Sequence, residues 1–197
     1  MYNANHSKTA GHVALALMAA IIVVLQLIGG MIHIGPVSFT FVLVPIVVGG
    51  VLYGPSAGAF LGAVFGAVTL AGCISGTDVG GFILWSANPW LTGLVCLGKA
   101  TLAGLSAALV FKLVSKRSAY LGVLLAALTA PIVNTGVFCL AMLFPFREIL
   151  REWAGGTDVV RYLVLSIVGV NFLVELALNA VLCPGIFRIV QIRRKRA

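Results

Sequence analysis

Six apolar segments, each about as long as a membrane-crossing helix, occupy most of this chain. They run over residues 11–33, 37–53, 56–74, 90–113, 119–144 and 160–187. A helix needs about 20 mostly apolar residues to cross the bilayer core. Hydrophobic residues make up 61% of the chain and charged residues 9%, whereas about 25% of a typical soluble domain is charged. The sequence therefore predicts an all-α membrane protein: one integral membrane domain over residues 1–197, built as a six-transmembrane-helix bundle.

Charges outside these segments divide unevenly between the two ends of the predicted bundle. With the N-terminus inside, the inner segments hold nine basic residues and no acidic one: Lys8, Lys112, Lys116, Arg117, Arg188, Arg193, Arg194, Lys195 and Arg196. The outer segments are balanced, with three basic and four acidic residues. Because basic residues collect on the cytoplasmic side, both termini are predicted to be cytoplasmic in a multi-pass protein of the cell membrane. The basic C-terminal tail is interpreted as an orientation signal at the lipid bilayer, not as a nucleic-acid site.

Four polar residues fall inside predicted spans at similar depth. Lys99 and Asn134 lie roughly 14 and 15 Å from the outer ends of their spans, Asn171 roughly 17 Å, and Glu175 about 6 Å deeper. Charges at such depth are costly, about 3 kcal/mol each on insertion scales, so they usually face the bundle interior and pair. Two interpretations stay open and are compatible: a structural Lys99–Glu175 pair, or a polar substrate pocket open to the outside.

The outer mouth of the fourth span carries aromatic and amide residues in "FILWSANPWLTG". Trp85, Asn88 and Trp90 fit either an interfacial aromatic belt or a lid over the pocket. His33 falls in the first outer turn. We count these four residues among the candidate substrate-binding residues.

Small residues recur at helical spacing in two spans. Gly54, Gly58, Gly62 and Gly66 form a stripe on the third span, which favours close packing within the chain. Ala16 and Ala20 form an AxxxA pair on the first span. The four cysteines are scattered without a CxxC pair, so no metal site and no disulfide framework is expected.

Several function classes lack their motifs in this chain. There is no GxxxxGK[ST] or HExxH, and one buried Glu with one buried Lys is too little for a membrane enzyme. An inverted internal repeat, typical of many secondary transporters, is not evident. A small-molecule pocket without an energy source indicates a non-enzymatic binding subunit powered by partners.

Four stretches together resemble a known family: "PIVVGGVLYGPSAGAFLGAVFGAV", the AxxxA pair, "LVFKLVSK" and "NFLVELALN". The chain resembles the S component, the substrate-binding membrane subunit, of energy-coupling factor (ECF) transporters, in the variety similar to the folate, pantothenate and cobalamin group. The resemblance implies a membrane coupling subunit and two cytoplasmic ATPases as partners, with no cofactor in this chain. It also implies docking through Ala16 and Ala20, and release of the substrate by toppling in the membrane.

The substrate expected from this resemblance is a water-soluble vitamin or similar micronutrient. Lys99 suits a carboxylate, which makes pantothenate the first choice, although Glu175 could already neutralise it. Two other functions remain open: a proton-coupled secondary carrier that uses Glu175, and a membrane scaffold without a ligand.

Overall fold

The computed structural model describes residues 2–29, 33–34, 37–38 and 42–196. Long helices dominate this part of the chain. They are α1 (Tyr2–Gly29), α2 (Leu43–Tyr53), α3 (Pro55–Ser75), α5 (Pro89–Val114), α6 (Ala119–Leu143) and α9 (Gly169–Arg196). Among the described residues, five helices are long and apolar enough to cross a membrane, and α2 is a shorter apolar helix. The helical membrane fold expected from the sequence is therefore confirmed.

Short elements connect the long helices. A short hairpin of two strands follows α1. Each strand has two residues, and β1 (His33–Ile34) pairs antiparallel with β2 (Val37–Ser38). The helix α4 (Val79–Ala87) precedes α5, and α7 (Arg147–Ala154) follows α6. The last helix is reached through α8 (Val159–Tyr162) and a π-helical segment (Leu163–Val168).

The boundaries of the first two predicted spans need correction. The segments 11–33 and 37–53 were expected to be helical throughout, but α1 begins at Tyr2 and ends at Gly29, and α2 begins only at Leu43. The hairpin occupies part of the sequence between them. Its strands flank Gly35-Pro36, a dipeptide that favours turns. At 11 residues, α2 is shorter than the about 20 residues of a full crossing.

The two longer polar segments also differ from expectation, because each contains a helix. Asp78 caps α4, its Oδ1 accepting a hydrogen bond from the Gly81 amide at 3.1 Å. On α7, the exposed face carries a salt bridge of 2.7 Å between Arg151 and Glu148, while Leu150 is buried. Both helices thus have a polar start or face and an apolar inner face.

The closest helix packing joins α3 to α5. A methyl group added at Gly58, Gly62 or Gly66 would collide with the main chain of α5, at Gly104, Ala100 and Cys96 respectively. The backbones therefore touch, which only small residues permit. The expectation that the glycine stripe serves packing within the chain is confirmed for these three residues. Gly54 instead forms the α2–α3 turn, with a φ of 96° that favours glycine.

Two thiols continue the same seam. The sulfur atoms of Cys73 on α3 and Cys96 on α5 lie 3.9 Å apart, and both side chains are buried. The remaining cysteines, Cys139 and Cys183, are also free thiols.

We expect Gly62→Ala to destabilise the protein by about 1–3 kcal/mol, the usual cost of overpacking, because its methyl group meets the Ala100 carbonyl. Gly98→Ala is the matched control, since nothing lies within 4 Å of its added methyl group. Thermal unfolding of both variants in detergent measures the difference. Equal effects of the two substitutions would contradict the α3–α5 contact.

We also expect diamide to join Cys73 to Cys96. The two thiols lose two hydrogen atoms to the azo group of diamide, which becomes a hydrazine, and a sulfur–sulfur bond forms. In a Cys139→Ser, Cys183→Ser background, alkylation after denaturation should find two thiols before oxidation and none after. Cys73→Ser is the control and should keep one alkylatable thiol. Two thiols that survive oxidation would argue against their contact.

Candidate functional site

A cavity of about 100 Å³ lies between the long helices at the end of the bundle that carries α4 and α7. Its apolar wall is rich in aromatic side chains: Phe65, Phe138, Phe146, Trp153 and Phe172. Its polar wall is formed by Gln26, Thr69, Asp78, Thr92, Lys99, Asn134, Thr135 and Glu175. An apolar enclosure with a few convergent polar groups is the usual form of a small-molecule site.

The structure brings three of the predicted site residues together on this wall. Lys99 comes from α5, Asn134 from α6 and Glu175 from α9. Asn134 is 7% exposed and Glu175 is 2% exposed, whereas Lys99 is half-buried. The Lys99 ammonium lies 5.2 Å from the centroid of the Phe138 ring, a distance at which a cation is attracted to the ring face.

The predicted mouth residues do not lie on the cavity wall. Asn88 caps α5, its Oδ1 accepting a hydrogen bond from the Leu91 amide at 3.0 Å. Trp90 is 91% exposed, and Trp85 is half-buried. The helix α4 faces inward with Leu84, and neither its Trp85 indole nor the Trp90 indole at the start of α5 belongs to the cavity lining.

Two further candidates fall where side chains are not described. His33 begins β1 and Asn171 lies on α9, one turn before Glu175, and the side chains of both lie outside the described part of the structure. Asn179, the next polar residue on that face, is buried. Its Nδ2 donates to the Glu175 carbonyl oxygen at 2.9 Å, and it does not belong to the cavity lining.

Gln26, Asp78 and Trp153 are among the lining residues that sequence reasoning missed. Gln26 is the lone polar residue in "AAIIVVLQLIGG", and that isolation could have drawn attention to it. Asp78 was assigned only to the outer charge balance. Trp153 lies on the same side of α7 as the buried residues Leu150 and Ala154, a pattern that the charged face of this helix indicates.

Two amide oxygens on the wall have no hydrogen-bond partner among the described residues. Gln26 Oε1 and Asn134 Oδ1 are buried acceptors without a hydrogen bond in the described structure, and both residues are 7% exposed. A buried polar group without a partner costs about 1–3 kcal/mol. Such a cost at a cavity is removed when a ligand or water supplies a donor.

The thiols Cys73 and Cys96 also line the cavity, and Cys73 lies against Gly81 of α4. Within the described residues, no three His, Cys, Asp or Glu side chains are grouped so that they could hold a metal ion. The chemistry of the wall is therefore that of charges, amides, hydroxyls and aromatic faces.

Ala16 and Ala20 lie on α1, before the cavity residue Gln26 of the same helix. Both are exposed, and so are Val13, Leu17 and Val24 on the same helix. These residues recur at three- and four-residue spacing, so they form one apolar face of α1.

Comparisons with known proteins now bear on this architecture. Residues 13–187 match the family model described as ECF transporter, substrate-specific component. Neither a comparison with curated proteins nor one with solved structures finds a match. Members of this family are integral membrane subunits that bind the transported substrate and are not themselves enzymes. With most of its length matched, this multi-pass membrane protein belongs to the family of substrate-specific components of ECF transporters.

Proposed function

We propose that the chain captures a water-soluble vitamin or similar micronutrient in its cavity and delivers it to an ATP-driven coupling module. The observation that carries this proposal is the cavity itself, where Lys99, Asn134 and Glu175 from three different helices meet beside a group of aromatic rings. A scaffold without a ligand has no need of buried polar groups, which are costly in a membrane. The partners would be a membrane coupling subunit and two cytoplasmic ATPases, and the substrate would be released by toppling.

The lining residues indicate where a ligand binds more clearly than which ligand it is. Lys99 favours pantothenate, because an ammonium attracts a carboxylate. Asp78 and Glu175 on the same wall act against that choice, because they repel a ligand carboxylate.

We place both termini in the cytoplasm and let the chain cross the membrane six times, with α2 helical over only part of its crossing. The basic residues near the α1 start, the α5–α6 connection and the C-terminus support this direction. The cavity would then face outside, on the side of α4 and α7.

The first test separates capture from coupling. Ala16→Leu with Ala20→Leu should abolish uptake by the assembled transporter, because bulky residues keep a partner helix away. Ligands released from the purified variant, identified by mass spectrometry, should match those of the parent protein. Ala67→Leu with Ala71→Leu is the control, because these alanines on α3 have the same spacing and are also exposed.

Three outcomes count against the proposal. Uptake that persists without the ATPases would favour a proton-coupled carrier that uses Glu175. Loss of ligand in the α1 variant would place Ala16 and Ala20 in the fold. An equal loss of uptake in the α3 control would show that any lipid-facing enlargement is harmful.

The second test concerns direction. A membrane-impermeant maleimide applied to intact cells should label Ser86→Cys on α4 and leave Ser115→Cys, at the end of α5, unlabelled until the cells are opened. Ser86 is exposed and Ser115 is half-buried, so denatured samples must confirm that both thiols are reactive. Labelling of Ser115→Cys from outside would reverse the proposed orientation.

A further inference from the structure

We propose that the ligand of this cavity carries a protonated nitrogen group, such as an amine, amidine or guanidine, joined to an apolar part about the size of one ring. This inference rests on the proposed function, since it names the chemical class that the capture site selects. Three independent features of the wall support it: its ionisable groups, its hydrogen-bonding capacity and its aromatic faces.

The ionisable groups on the wall favour a cation. Among the described lining residues, two carry a carboxylate, Asp78 and Glu175, and one carries an ammonium, Lys99. When all three are ionised, this described part of the wall therefore has one negative charge more than positive charges. In a site with little water this excess acts strongly, because the interaction of charges grows as the dielectric constant falls.

The hydrogen-bonding groups on the wall are mostly acceptors. Gln26 Oε1 and Asn134 Oδ1 have no partner in the described structure. The hydroxyl protons of Thr69 and Thr92 are already used, because they donate to the carbonyl oxygens of Phe65 at 3.0 Å and Asn88 at 2.9 Å. Only lone pairs remain on these hydroxyl oxygens. A ligand must bring donors to satisfy such a wall.

The aromatic side chains of the wall also favour a cationic ligand. Phe138 already attracts the Lys99 ammonium, and Trp153 and Phe172 contribute further rings to the lining of the same cavity. The faces of such rings are negative and bind cations, and tryptophan binds them best. The volume of about 100 Å³ is smaller than the ~150 Å³ of a cavity that holds benzene, so the apolar part of the ligand is at most one ring.

Three probes of the same shape test the charge preference. Benzamidine is a cation that only donates, benzamide is neutral, and benzoate is an anion that only accepts. Isothermal titration calorimetry on the purified full-length chain measures each affinity. We expect benzamidine to bind at least about tenfold more tightly than benzoate, with benzamide between them. In a site of low dielectric constant, changing the ligand charge by one unit alters the binding free energy by more than a tenfold difference in affinity requires.

The variant Asp78→Asn removes one wall charge and keeps the α4 cap, since asparagine caps helices as well as aspartate does. We expect it to weaken benzamidine about tenfold and to leave benzamide unchanged. Asp158→Asn is the matched control. Asp158 also caps a helix, its Oδ1 accepting from the Arg161 amide at 2.8 Å, but it is exposed and does not line the cavity.

The outcomes separate this inference from the proposed function. Tightest binding of benzoate would overturn the cationic class and leave the capture site standing, with Lys99 as its main contact. No binding of any probe, while a nutrient is still released from the purified chain, would overturn the class alone. No binding and no released ligand would overturn both proposals. An equal loss in Asp78→Asn and Asp158→Asn would remove Asp78 from recognition.

Discussion

The backbone contact between α3 and α5 is the constraint on which the site depends. Helices in lipid gain little from the hydrophobic effect, so their association relies on close packing of small residues. Gly58, Gly62 and Gly66 let α3 touch the main chain of α5. Beyond this contact the same two helices supply much of the cavity wall, including Thr69 from α3 and Lys99 from α5. A wider separation would enlarge the cavity and move these groups apart.

The short helices α4 and α7 complete the wall that the long helices begin. Asp78 serves twice, because one carboxylate oxygen caps α4 while the residue lines the cavity. On α7, Trp153 reaches the cavity from a helix whose other face is charged. An apolar cluster that includes Leu84, Phe146 and Leu150 joins α4, α7 and the end of α6. The position of both short helices therefore follows from burial of their apolar faces.

Some features of the fold and of the site could be predicted from the sequence and others could not, because they depend on different geometric quantities. Depth along a helix follows from a rise of about 1.5 Å per residue, and that arithmetic was enough to group Lys99, Asn134 and Glu175. The direction in which a side chain points around its helix axis depends on which helices pack against it, and the sequence alone does not give those neighbours. Gln26 was therefore missed, and Trp85 was grouped with a cavity that it does not reach. The hairpin before α2 was missed because each strand has only two residues, too few to show an alternating pattern in the sequence.

Stability and recognition are linked in a site of this kind. Within the described part of the structure, the Gln26 and Asn134 oxygens have no hydrogen-bond partner, and a buried acceptor of this kind costs about 1–3 kcal/mol. A ligand that donates to them removes this cost, so part of its affinity is the relief of a strain already present in the protein. The close α3–α5 packing fixes a different part of the wall, which carries Thr69 and Lys99, because backbones already in contact cannot move closer. The proposed preference for a hydrogen-bond donor would thus arise from acceptors on α1 and α6, with the α3–α5 contact holding the rest of the wall in place.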